Sequence, residues 1–109
     1  MNFKQGDIIF VDFNPQIGHE QSSKRPGIVI SNDDFKTFTN LTMVCPITST
    51  NRNFPAHIEL DTRTKTQGVI MCEQVKALDL LKRNAHFLEK APPDIISDVV
   101  DIVYSFIEI

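Results

Sequence analysis

The hydrophobic pattern of this chain changes period once, and no other feature constrains the fold as strongly. Up to Val75 the apolar residues fall in short runs separated by polar turns, whereas from Ile95 to Ile107 they recur at three and four residues. The first pattern is that of strands and the second that of an amphipathic helix. Asp7-Ile8-Ile9-Phe10-Val11-Asp12-Phe13 is β-branched and aromatic and runs into Asn14-Pro15, a strand followed by a turn. Residues 26–31 and 41–47 give two more strands, with the turn-rich Asn32-Asp33-Asp34 between them; residues 56–60 give a fourth and 68–75 a fifth. Strands at this spacing with short polar connections predict a small antiparallel barrel rather than a parallel βαβ sheet. In the last segment Ile95, Val99, Ile102 and Phe106 form an apolar stripe opposite Ser97, Asp98, Asp101, Ser105 and Glu108, and Pro92-Pro93-Asp94 supplies a start signal. The expectation is a mainly β domain with helices: a C-terminal helix lidding the barrel core and a second short helix at 79–83.

At 109 residues the chain has room for one core, so residues 1–109 are expected to form a single domain. No apolar run approaches the roughly 18 residues that span a bilayer, and the N-terminus has no apolar leader core, which predicts cytoplasmic residence without membrane contact. Cys45 and Cys72 lie far apart inside apolar runs and His19, His57 and His86 are dispersed, so neither a disulfide framework nor a metal site is expected, and no cofactor. The net charge of -3 is unfavourable for a large non-specific DNA footprint. Its distribution matters more: Glu89, Asp94, Asp98, Asp101 and Glu108 face Lys90 alone in the last segment, so the remainder is close to neutral and free to present a local basic patch.

Chemistry-bearing residues concentrate in two places. Gly18-His19-Glu20-Gln21-Ser22-Ser23-Lys24-Arg25-Pro26 joins two predicted strands and is dense in proton-transfer and phosphate-binding groups, and Pro46-Ile47-Thr48-Ser49-Thr50-Asn51 ends the third strand with three hydroxyls and an amide. Loops held by a rigid sheet are where such groups act. Arg25 presents a permanently charged planar fork that matches two phosphate oxygens. Asn51, Arg52 and Asn53 offer partners for unpaired base edges, and Phe35, Phe38 and Phe54 lie in polar surroundings where an aromatic ring can stack on a base.

Taken together, Gly6-Asp7, Asp12-Phe13-x-Pro15, Gly18-x-Glu20-Gln21, Arg25-Pro26-x-x-Val29, Pro46-Ile47-Thr48-Ser49, Gly68-Val69-Ile70 and Gln74-Val75 resemble, in the same order, the signatures of the MazF/PemK toxins. The resemblance implies an SH3-like β-barrel with a C-terminal helix, shared with CcdB-like proteins. It further implies a homodimer that cuts single-stranded RNA, held silent by a cognate antitoxin with a disordered acidic segment, with operator DNA contacted only through that antitoxin. By the family match Arg25 and Thr48 carry the phosphate chemistry, His19 and Glu20 are candidates for proton transfer, and Gln21, Lys24, Ser49, Asn51, Arg52, Phe54 and Glu73 contact RNA. One departure is visible. PemK-like members pair the histidine at the position of His19 with an arginine and an acid on a later strand; here the acid is Glu73, and Met71 stands in place of the arginine. For His57 and His86 the expectation is a solvated or locally bonded side chain rather than catalysis.

Two other classes compete. A CcdB-like gyrase poison shares the fold but depends on a tryptophan near the C-terminus, and this chain has none. A non-enzymatic SH3-like binding module has no use for the Arg25 and Thr48 motifs.

Overall fold

A computed structural model describes residues 2–13, 24–51 and 53–109. In chain order the elements are β1 (Asp7–Asp12), β2 (Lys24–Val29), α1 (Asp33–Thr39), β3 (Thr42–Thr48), β4 (His57–Glu59), β5 (Val69–Met71), β6 (Lys76–Leu78), β7 (His86–Lys90) and α2 (Pro93–Ser105), with 3₁₀ turns at Cys72–Gln74 and Leu80–Lys82. All pairings are antiparallel. The ladder runs β4-β5-β3-β2-β1-β7, and β6 also pairs with β3.

The five strands expected from the sequence are present, though the fifth is cut to Val69–Met71 by the 3₁₀ turn that follows it. The short helix expected at 79–83 is the 3₁₀ turn capped by Asp79, whose side chain accepts from Leu81 N. Three features differ from expectation. Among the described residues the sheet is not closed into the expected barrel: β3 shares one edge between β6 and β5, which forks the sheet, and β4 and β7 are not paired with each other. The segment at Asn32-Asp33-Asp34 is a helix start and not a turn. Asn32 Oδ1 accepts from Phe35 N at 3.1 Å, Asp33 and Asp34 lie in the first turn, and Asn40 closes α1 at φ 60°. Residues that favour turns are those that favour N-caps, because both exploit a short side chain bonding nearby backbone. Strands β6 and β7 were not legible: β6 spans Lys76–Leu78 only, and His86–Lys90 is mostly exposed, without the alternation of a half-buried strand.

The sheet is buried on both faces. Ile8, Ile28, Cys45, Ile47 and Ile70 form one core with Ile95 and Val99 of α2, so the C-terminal helix lids this core as its periodicity predicts. Phe106, expected in the apolar stripe, is half exposed at the helix end. Ile9, Val11, Phe13, Val29, Val44 and Leu78 form a second core on the other face. Each fully buried Ile or Val contributes about 1.5–3 kcal/mol relative to exposure. Asp7, 4% exposed, ties β1 to its neighbours by accepting from Lys4 N at 2.8 Å and Lys90 Nζ at 3.0 Å.

The peptide directions of β3 explain where its ladders end. Ile30 N donates to Met43 O at 2.9 Å, so odd-numbered residues of β3 turn their peptide groups towards β2 and even-numbered ones towards β5 and β6. Pro46 therefore places its missing N–H on the β5/β6 edge, in the gap between the β6 ladder at Thr42–Val44 and the β5 ladder at Ile47 and Thr48. On β2 the even-numbered residues face β3, and Pro26 cannot donate there either. The β2–β3 pairing accordingly stops at Gly27↔Pro46.

Two glycines permit this packing. A Cβ on Gly27 would lie 2.6 Å from Val44 Cγ1 and 2.7 Å from Phe13 Cζ. Gly68, at φ 127°, passes so close to β3 that a Cβ would sit 2.3 Å from the carbonyl oxygen of Thr48. Gly68→Ala is expected to lower unfolding free energy by about 2–3 kcal/mol, from backbone strain plus displacement of that carbonyl. Urea denaturation measures it, and a variant as stable as wild type would contradict the close approach.

The loop before β5 is pinned by charge. Arg63 bonds Asp61 and, through Nη1 and Nη2 at 2.8 and 3.0 Å, Asp94 at the start of α2. These bonds hold the Asp61 carboxyl down at about 2 and lower that of Asp94. Burial pushes Glu89 up, but donors from Thr66 and Lys65 outweigh it and leave that carboxyl lowered as well. Carboxyls lowered on folding contribute stability that is present above their unfolded pKa and lost as pH falls through the folded one. Melting temperature is expected to fall between about pH 5 and pH 2, with a shallower fall in Arg63→Ala; an unchanged slope in that variant would show that the clamp carries none of the acid sensitivity.

Candidate functional site

The end of the β2–β3 ladder holds the first two candidate residues. Continued two residues past Gly27↔Pro46, the register sets Arg25 opposite Thr48. By strand parity both side chains then lie on the face shared with Gly27, Val29 and Val44. Arg25 also pairs with Val11 of β1, so its backbone is fixed while its side chain stands beyond the second core. Thr48 Oγ1 accepts from Thr50 N at 3.3 Å, which leaves the hydroxyl hydrogen to be donated outward. Lys24, exposed at the start of β2, extends the positive charge of this edge.

The face continues across β5 and β4. Thr48 pairs with Val69, which pairs with Glu59; two rows away Met71 pairs with His57. These rows flank the core row Ile47–Ile70–Ile58, so they point away from the α2 side. A cleft of ≈ 370 Å³ opens there, walled by Thr48, Phe54, His57, Met71, Glu73 and others. Inside it His57 Nε2 lies 3.1 Å from Glu73 Oε2, and the Phe54 ring meets the His57 ring edge-on at 5.2 Å. The His57 side chain is 8% exposed and that of Glu73 28%. An adjoining cleft of ≈ 710 Å³ is walled by Ser49, Asn51, Glu59, Asp61, Gln67 and others. Burial pushes the Cys72 thiol up to about 11 and raises that of Cys45 further, in each case with the Glu73 charge adding to the effect, so both stay protonated near neutrality.

The sequence-derived residues therefore divide. Thr48, Phe54 and Glu73 meet in one cleft, Ser49 and Asn51 line the next, and Arg25 with Lys24 stand on β2 beside Thr48 without lining either. Phe35 and Phe38 belong to α1, which joins the far ends of β2 and β3 from Arg25 and Thr48; they take no part in this site. His19, Glu20, Gln21 and Arg52 lie outside the described residues. His57 is locally bonded, as expected, but it is bonded within the cleft. Strand parity held the signal for it: in the run 56–60 it points away from the core residue Ile58. Among the described residues no three His, Cys, Asp or Glu side chains gather as metal ligands, and none of the helices is long and apolar enough to cross a membrane.

Comparison with known proteins places this geometry. Residues 4–107 match the model of the PemK-like, MazF-like toxin of type II toxin-antitoxin systems. The chain belongs to the PemK/MazF toxin family. Its similarity to the endoribonuclease PemK of Escherichia coli is 31% identity over 103 residues, covering 91% of this chain and 77% of the relative. It is 34% identical over 84 residues to the endoribonuclease EndoA of Bacillus subtilis, 72% of each chain. The fold of this PemK/MazF member is similar to that of MazF from Deinococcus radiodurans, with TM-score 0.83 and 31% identity over 95% of this chain and 94% of that one. Similarity to the MazF of a MazE-MazF crystal structure from the same organism gives TM-score 0.85.

Proposed function

We propose that this chain is the toxin of a type II toxin–antitoxin system, an endoribonuclease that cuts single-stranded RNA and so arrests translation. The observation that supports the reading is that Arg25 and Thr48 lie on one face of the sheet just past the last β2–β3 pair, in a chain whose relatives are named endoribonucleases. RNA brings its own nucleophile, the 2′-hydroxyl. The protein's task is to hold the phosphate, stabilise the charge of the pentacovalent transition state and manage two protons. Arg25 grips two phosphate oxygens with its planar fork, and the Thr48 hydroxyl donates to the same phosphate. The products are a 2′,3′-cyclic phosphate and a 5′-hydroxyl, and the chemistry calls for no metal. Phe54 gives a half-exposed ring for a base to stack on, and Ser49 and Asn51 present hydrogen-bonding groups to base edges along the adjoining cleft. His19, Glu20, Gln21 and Arg52 join the RNA surface on the strength of the family match.

The active form is a homodimer in the cytoplasm, and its partner is an antitoxin whose acidic segment imitates phosphates at Arg25 and Lys24. One structural neighbour at 31% identity is a MazE-MazF complex, which supports such a partner. Contact with operator DNA runs through the antitoxin.

Arg25→Ala and Thr48→Ala are expected to fold, with stability changes of about 0.5–1 kcal/mol, because both side chains stand at a strand end. Turnover should drop about 10²–10³-fold for the loss of a donor to the transition state. Arg25→Lys should recover little, since an ammonium cannot span two oxygens. Turnover under saturating RNA, beside thermal melting, decides it: near-normal cleavage by Arg25→Ala removes Arg25 from the phosphate.

A further inference from the structure

The bond between His57 and Glu73 is not explained by folding. His57 Nε2 lies 3.1 Å from Glu73 Oε2, and because a carboxylate only accepts, this contact assigns the ring hydrogen to Nε2. The other ring nitrogen, Nδ1, is buried and finds no partner among the described residues. Burying an unpartnered ring nitrogen is unfavourable, and an apolar side chain at this position would fill the space without that cost. What the histidine achieves is orientation. Its ring is held edge-on by Phe54 and its backbone N donates to Phe54 O at 2.9 Å. Both side chains wall the cleft, and at 28% exposure against 8% the acid is the more accessible of the two. Met71, directly across the β4–β5 pair, has no hydrogen to donate. Of the described residues walling this cleft, His57 and Glu73 are the two with acid–base side chains, and burial keeps the nearby thiols of Cys45 and Cys72 protonated near neutrality.

We infer that His57 is a positioning residue for RNA cleavage: through Nε2 it fixes the Glu73 carboxylate beside Thr48, where Glu73 takes the proton of the attacking 2′-hydroxyl. This rests on the ribonuclease reading above. In the step, the 2′-oxygen bonds to phosphorus as its proton passes to a Glu73 oxygen. The bond from phosphorus to the 5′-oxygen breaks, and the 5′-oxygen keeps the electron pair. A water molecule protonates that oxygen, and the resulting hydroxide recovers the proton from Glu73, so the carboxylate is regenerated.

The test compares wild type, Glu73→Gln, His57→Ala, His57→Gln and the double variant His57→Ala/Glu73→Gln. The substrate is an RNA that the wild type cuts, and the same RNA with a 2′-deoxy residue at the cut position reports binding without reaction. Glu73→Gln should slow turnover about 100-fold or more and His57→Ala on the order of tenfold, as expected for a lost base and a misplaced one. Affinity for the deoxy RNA should stay within about twofold in both, since the loss is confined to the chemical step. His57→Gln should recover most of the turnover, because its amide N–H can donate to the same carboxylate. The double variant should be no slower than Glu73→Gln alone, as residues acting through one another do not add. Wild-type turnover by His57→Ala overturns the inference, and so does a double variant in which the two losses multiply. A His57→Gln that melts like wild type but is as slow as His57→Ala also overturns it. A wild type that cuts no RNA overturns the functional reading instead.

Discussion

Strand β3 is paired along both edges and packed on both faces, and the proposed site lies where that pairing stops. A strand in this position can expose a functional side chain only at an end, because everywhere else its peptides are committed to β2, β5 and β6 and its side chains to the two cores. Pro26 and Pro46 set the end. Each removes a donor at the level where the β2–β3 ladder stops or the opposite edge changes partner, and neither leaves a buried N–H unpaired in doing so. Arg25 and Thr48 are the residues just beyond. Rigidity and access are thereby combined: both backbones belong to strands, and both residues are partly exposed.

The second constraint is close approach. Gly68 brings the entry to β5 against the Thr48 carbonyl, which fixes the distance between the β3 end and the β4–β5 pair that carries His57 and, through the 3₁₀ turn, Glu73. A bulkier residue there would push the two halves of the site apart. The glycine-led motif beginning at Gly68 and the threonine motif at Pro46 are two sides of one contact, although they lie far apart in sequence.

This explains what the sequence disclosed and what it withheld. Elements that bury one face announce themselves by period, as β1 and α2 do, and the strand-end position of Thr48 follows from where the run 41–47 meets hydroxyls. Short or exposed elements carry no such period, so β6 and β7 were silent, and α1 was mistaken for a turn because its Asn-Asp-Asp start is chemically ambiguous between turn and cap. Barrel closure was not legible because it depends on edges: the β3 edge is divided between β5 and β6, and pattern alone does not reveal that division. The partner that binds His57 was hidden for a related reason. His57 faces Met71 and reaches Glu73, which are relations between residues distant in the chain. Phe35 and Phe38 were overvalued because a polar neighbourhood in sequence does not say at which end of a sheet it lies.

The central claim is that a phosphate held at Arg25 and Thr48 is attacked by the RNA's own 2′-oxygen. End-group analysis of RNA cut by the purified protein in excess EDTA tests it most directly. The account requires cleavage to proceed in the chelator and to leave a 2′,3′-cyclic phosphate with a 5′-hydroxyl. A 3′-hydroxyl with a 5′-phosphate, or cutting that appears only when a divalent cation is restored, would contradict it.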